Sequence, residues 1–266
     1  MPISGSSPNN FLLEVSRGNI AGMTSVNRFG RTTNADTGIN TDVWNRANVA
    51  DNQAIWIAPT QARIHDIVST SASDDGSPAG VGGRTLRVFG LTDWDTAETF
   101  EDIILNGTTN VPTVSSYVIV NRLKMLTWGA TSTNVGTITA TAQTDATVTA
   151  QIEPSHGQTE MAIYGFPSVQ TAFTTSISLT VNKGSSGGIN REIDGELLFN
   201  PIPDQELTNF LVVGHAGRES SGTASESVPI EPPGILQGPG IIKVQITSDT
   251  NNVDAAATFN LVLIDN

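Results

Sequence analysis

Apolar residues fall on every second position along much of this chain. Ile177, Leu179 and Val181 alternate with Ser178 and Thr180, and Ile242, Val244 and Ile246 alternate with Lys243 and Gln245. Ile138, Ala140 and Ala142 alternate with Thr137, Thr139 and Thr141. A period of two puts one set on a buried face and the other in water, which a strand satisfies and a helix does not. Thr on the outer faces agrees, because β-branched side chains crowd a helix and suit a pleated sheet.

The same signal runs through the rest of the body. Leu86 and Val88 flank Arg87, and Asn106-Gly107 is a turn pair that ends the run at Ile103–Leu105. Tyr117, Ile119, Leu123 and Met125 share one face, interrupted by Asn121. Val148, Ala150 and Ile152 alternate with Thr149 and Gln151. Phe259–Ile264 is apolar on both faces except at Asn260, as a central strand would be. Pro201, Pro203, Pro229, Pro232, Pro233 and Pro239 are expected between strands. No helical period lasts beyond two turns, and residues 203–213 are at best a short helical turn. Many short strands separated by turns predict a sandwich, jelly roll or barrel.

Composition narrows the function. The formal net charge is −13, which disfavours nucleic acid and anionic membranes as partners. With no cysteine, disulfides and thiolate metal sites are excluded. No run approaches the length of a membrane span, and the first residues lack the basic start and apolar stretch of a signal peptide.

Residues 1–50 differ from the rest. They carry scattered apolar side chains without a sustained period and a slight positive charge. Such a segment cannot offset its ordering entropy alone, so it is expected to be an extended arm docked on its own body or on a neighbouring subunit. Phe11, Leu12, Leu13, Val26, Phe29 and Trp44 are its expected anchors. Residues 51–146 and 147–266 are expected to form two β modules.

Catalytic motifs are weak. Gly184-Ser185-Ser186-Gly187-Gly188 matches a nucleophile elbow in letters but leads into another strand, so it reads as a hairpin loop. His65, His156 and His215 have no metal-ligand spacing. Asp93, Asp95, Glu98, Glu101 and Asp102 crowd a hairpin turn, where acids are simply solvated. Ca²⁺ is the one cofactor that this turn, Asp74-Asp75, or the loop with Asp249, Asn251 and Asp254 would suit. Trp94 stands at the expected turn tip, where it is available to a partner or a sugar.

Several blocks carry a family resemblance. Val15–Gly38 with Asp42–Asn45, Gly82–Val111, Asn121–Ala140, Gly157–Phe173 and Phe259–Asn266 resemble, in the same order, a family of structural proteins of marine tailed bacteriophages. The resemblance implies a virion location and a non-enzymatic role, and it carries no catalytic residues across.

The combined expectation is an all-β protein with two β-sandwich or jelly-roll-like modules behind an N-terminal arm. It would act as a head decoration or cement component, a homotrimer bound to other virion proteins such as the major capsid protein. The rivals are a tail or fibre adhesin for a surface glycan, and a polysaccharide depolymerase.

Overall fold

A computed structural model describes residues 8–45, 53–182, 191–220 and 224–266. One helix, α1 (Pro8–Ser16), precedes sixteen strands among the described residues. These are β1 (Met23–Ala35), β2 (Thr41–Asp42), β3 (His65–Ser69), β4 (Gly83–Leu91), β5 (Thr99–Ile104), β6 (Val111–Pro112), β7 (Ile119–Trp128) and β8 (Ile138–Ala142). Then come β9 (Thr147–Ile152), β10 (Ile163–Phe166), β11 (Gln170–Asn182), β12 (Arg191–Asn200), β13 (Leu211–Ser220), β14 (Ala224–Gln237), β15 (Gly240–Ser248) and β16 (Val253–Asp265). The chain is all-β, as the alternation predicts.

The strands form four sheets, ordered β1-β16-β11-β14, β10-β15-β12-β13, β6-β3-β8-β9 and β5-β4-β7. All the pairings between strands are antiparallel. The first two sheets face each other across one core. Val253, Ala255, Ala257, Phe259, Leu261 and Leu263 of β16 meet Ile242, Val244 and Ile246 of β15 there. The other two share a second core around Ile67, Leu86, Val88, Leu123, Ile138 and Ile152. In chain order the second pair is an insertion: residues 53–160 lie between β2 and β10 and return to the same strand, β15, that both of those pair with.

Residues 23–35 are a full strand of the first sheet. β1 pairs with β16 from Met23↔Ile264 to Ala35↔Val253, so the second half of the expected arm is built into its own subunit. Its apolar signal is faint because the positions facing the core are Val26, Arg28, Gly30 and Thr32, opposite Leu261, Phe259, Ala257 and Ala255 of β16. Gly30 is required where β1 crosses the chain: a Cβ there would stand 2.2 Å from the Val43 carbonyl oxygen and 2.5 Å from the Ala162 nitrogen.

Four sequence expectations can be set against these strands. The boundary at 146/147 falls inside the β8–β9 hairpin, and Ala150 and Ile152 of β9 belong to the inserted core. The outer face of β9 is also buried, because Trp56 covers it; the Trp56 indole N–H donates to the Thr149 carbonyl at 2.9 Å. Pro229, Pro232 and Pro233 lie within β14, which tolerates them because it is an edge strand with a register shift opposite Thr174/Ser176. The short helical turn expected within residues 203–213 is a single turn at Ile202–Glu206, after which Leu211 begins β13.

The junction between the two modules is a buried ion pair. Lys243 Nζ lies 2.7 Å from Asp42 Oδ2, and the two side chains are 4% and 0% exposed. The Trp56 N–H donates to Asp42 Oδ2 at 2.8 Å and Gln245 Nε2 to Asp42 Oδ1 at 2.9 Å, while the Phe210 ring lies 4.4 Å from the ammonium. Burial pushes the Asp42 carboxyl above its ordinary range, against the pull of Lys243, Gln245 and the Trp56 amide. One residue on, Val43 packs into the first core and Trp44 into the second.

His65 is a second buried polar group. It is fully buried on β3, its Nδ1 lies 3.0 Å from the Arg63 carbonyl, and its ring meets Tyr117 edge-on at 6.2 Å. Burial lowers its pKa to about 4, against the pull of Asp145, Asp66 and Glu101 and of the Arg63 carbonyl.

Two stability measurements test these assignments. Asp42→Ala or Lys243→Met alone leaves a buried charge unpaired and costs about 3–5 kcal/mol, whereas the Asp42→Leu/Lys243→Met double variant costs less than either. Urea unfolding midpoints compare the three. For His65, the unfolded imidazole takes up a proton near pH 6.5 while the folded one stays neutral until about pH 4. Stability therefore falls as pH drops through that window, by up to about 3 kcal/mol. His65→Gln flattens this dependence; an unchanged slope would assign it to other groups.

Candidate partner and ligand surfaces

The outer faces of the first two sheets each carry an apolar groove. On β16, Val262 and Ile264 point away from the core that Leu261 and Leu263 enter. With Met23 and Phe173 they line a groove of about 640 Å³ whose other wall is Phe11 and Leu12 of α1. Phe11, Leu12 and Leu13 are 40%, 46% and 45% exposed, so three of the expected anchors stand at a free surface. The helix is tied to β1 where the Ser25 hydroxyl donates to the Ser16 hydroxyl at 2.9 Å. On the opposite side, Ile55, Ile57, Leu198, Phe210 and Val212 line a second groove of about 390 Å³, with Lys243 in its wall.

The other expected anchors have internal roles. Trp44 is fully buried in the inserted core, and its indole N–H donates to the Gln53 carbonyl at 3.2 Å. Val26 packs against the first core and Phe29 is half-buried in β1. Trp94 is half-buried rather than displayed at a turn tip. Its ring lies over Gly165, where a Cβ would be 3.4 Å from it, and its carbonyl accepts the Ser168 N–H at 2.7 Å. The turn is therefore stapled to the main body at β10 and the residues after it; sequence spacing could not show that contact across the fold.

The acids of the hairpin are spent separately. Asp93 accepts the Asp95 N–H at 2.8 Å and the Thr96 hydroxyl at 3.0 Å, and the Asp95 amide holds its carboxyl below the usual range. Glu98 accepts from Asn121 at 2.7 Å, and Glu101 takes the Val114 N–H and the Tyr117 hydroxyl at 2.8 and 2.9 Å. Asp102 is held bidentately by Arg87 at 2.7 and 2.9 Å, which keeps its carboxyl low.

The other loops raised for Ca²⁺ are similarly committed. Asp74 is fully buried and receives Ser69, Gly83, Val135 and Gly136 at 2.6–2.8 Å, while Asp75 caps the Ser77 amide at 2.8 Å. Asp249, Asn251 and Asp254 accept from the Glu192 amide, the Thr37 amide and Arg31. Among the described residues no three His, Asp or Glu side chains converge as a metal cluster. His156 pairs with Glu160 at 3.0 Å and His215 with Asp194 at 3.0 Å, far from His65. Gly184–Gly188 lies outside the described residues.

Sequence reading missed one cleft. The outward residues of β7 include Arg122, Lys124 and Trp128, and the loops at 132–133 and 155–158 close over them to form a cleft of about 520 Å³. Alternation places Arg122 and Lys124 on one face of β7, and irregular pairing with β4 beyond Met125 brings Trp128 into the same cleft. The loops arrive only through tertiary contacts, such as the Met125 N–H donating to the Gly157 carbonyl at 2.8 Å.

No protein-family model and no curated protein matches the chain. Among solved structures it is similar to that of the infectious bursal disease virus Gx strain, at 11% identity over 91% of this chain and 72% of that one, with a TM-score of 0.25. It is also similar to the infectious bursal disease virus VP2 subviral particle, at 12% identity over 96% and 78% of the two chains, with a TM-score of 0.23. The T=1 particles derived from the same virus match at 12% identity over 91% and 73%, with a TM-score of 0.20. Likeness at TM-scores this low carries no argument about what the chain does. No helix among the described residues is long and apolar enough to cross a membrane.

Proposed function

We propose that this chain is a non-enzymatic virion structural protein whose main body is a jelly roll, and that it belongs with the structural proteins of marine tailed bacteriophages. The observation that carries the reading is strand order. Taken along the chain, β1, β10, β11, β12, β13, β14, β15 and β16 fall in the first, second, first, second, second, first, second and first sheets. That interleaving of two four-stranded sheets supports the double Greek key of a jelly roll, an architecture used by viral capsid and lectin domains. Fold alone does not assign a function. Two further features favour a building block: apolar grooves on opposite faces of the body, and acids already bonded to protein donors.

Within the virion, the reading we favour is a decoration or cement protein of the head. The α1 groove would bury against a neighbouring copy in a closed cyclic oligomer, a trimer, and the Ile55–Ile57 groove against the major capsid protein. Burying such surfaces would add contact area that holds the shell against internal pressure.

Light scattering on the purified protein should give three times the 28.0 kDa chain mass. The Phe11→Asp/Leu12→Asp variant should become monomeric with stability changed by less than about 0.5 kcal/mol. Cryo-EM of intact particles should place the protein on the head. A monomeric wild type would overturn the oligomer reading, and density confined to the tail would overturn the head assignment.

A further inference from the structure

The cleft beside β7 brings two cations, an exposed indole and several hydroxyls together. Most described cations are paired: Arg17 with Glu14, Arg28 with Glu98, Arg31 with Asp254, Arg63 with Asp145, Arg87 with Asp102, and Lys243 with Asp42. Arg122 and Lys124 form no ion pair with any described residue, although the chain carries twice as many acids as bases. Arg122 is half-buried, and Lys124 is exposed. The Arg122 guanidinium donates to the Gln158 side-chain oxygen, which aims it along the cleft. Glu98 acts on Arg122 only at longer range, and two cations without an ion pair lining one cleft create a local positive field that favours an anion.

Trp128 completes the row. It is 47% exposed, whereas Trp44 and Trp56 are buried at 0% and 3%. An open indole costs hydration energy unless a flat or apolar partner covers it. The opposite wall supplies hydroxyls, from Ser132, Thr133 and Ser155.

That wall is held rigidly. Asn134 is 1% exposed, and its Nδ2 donates to the Gly136 and Glu153 carbonyls at 2.8 Å each. Its Oδ1 accepts the Gly157 N–H at 3.0 Å, so one side chain ties both loops together. Ser132 and Ser155 sit at φ 60° and 68°, left-handed conformations that the surrounding contacts maintain.

We infer that this cleft binds an anionic saccharide, with a pyranose ring on Trp128, its carboxylate or sulfate between Arg122 and Lys124, and its hydroxyls on the serine and threonine wall. Charge-assisted hydrogen bonds from a guanidinium and an ammonium fit either acidic group. A single-stranded nucleic acid would also stack on an indole. It needs a longer cationic track than two side chains, and the rest of this surface repels it. The site goes beyond the shell role and does not depend on it, so its test needs no particle.

Isothermal titration of the full chain with an oligogalacturonate, a sulfated dextran oligomer and a neutral dextran oligomer reads the site directly. Either acidic probe should bind, more weakly as salt rises, and the better of the two identifies the acidic group. The neutral probe should bind at least about tenfold more weakly. Trp128→Ala should lower affinity about tenfold or more, and Lys124→Glu should abolish it with an unchanged melting temperature. Lys124 is exposed, so the second variant keeps the test open if Trp128→Ala folds poorly. Three outcomes would overturn the inference: no saccharide binding, binding equal for neutral and acidic probes, or binding that survives Lys124→Glu. Tighter, Trp128-dependent binding of an oligothymidylate would assign the cleft to nucleic acid instead.

Discussion

The two cores are joined at Asp42. A carboxylate and an ammonium buried together lose their hydration, and their attraction compensates only when other donors complete the shell. Here the Trp56 amide and Gln245 complete it for Asp42, and the Phe210 ring lies against Lys243. Those groups come from the first sheet-bearing module, the inserted module and the strand between them. The backbone at Asp42 and Val43 also takes its place on β15, next to the residues where the chain returns from the insertion. The pair therefore sets where the insertion leaves the body, which side of the chain enters each core, and how β10 is aligned.

Much of this fold was legible in the sequence. The alternation at 242–246 and 177–181 belongs to strands with one face in the main core, and the apolar Phe259–Ile264 run is a central strand flanked on both sides. Asn121, read as an interruption, is a buried amide that donates to the Gly165 carbonyl at 2.9 Å and accepts the Gly165 N–H at 2.8 Å, joining the modules. The missing parts share one cause. β1 is legible only through β16, more than two hundred residues away, and the Asp42–Lys243 pair spans a similar gap. Local patterning reports which face of a strand is wet; it holds no information on which distant strand lies beside it.

The same limit applies to the surfaces. Phe11, Leu12 and Leu13 stand out as apolar residues in a polar segment, and they are exposed. Trp44 and Trp94 look alike in sequence, yet one is core and the other braces a turn against Gly165. Acidic residues crowd the hairpin after β4, but each finds a different donor. Arg122 and Lys124 are the reverse, two cations that form no ion pair with a described residue yet line one cleft. Such an imbalance appears only when every other pairing is known.

The pairing of β1 with β16 has a consequence for synthesis. β1 hydrogen-bonds along its length to β16, a strand made more than two hundred residues after it. The eight-stranded body therefore cannot close until β16 has been made, whereas residues 53–160 supply most of the second core and their β4–β5, β4–β7 and β8–β9 pairs are close in sequence. Local contacts form sooner than distant ones, so the insertion folds first and the main body assembles around it. Until then β1 waits as an unpaired edge, and another nascent copy offering β16 would present the same complement, making strand exchange between chains the characteristic error of assembly.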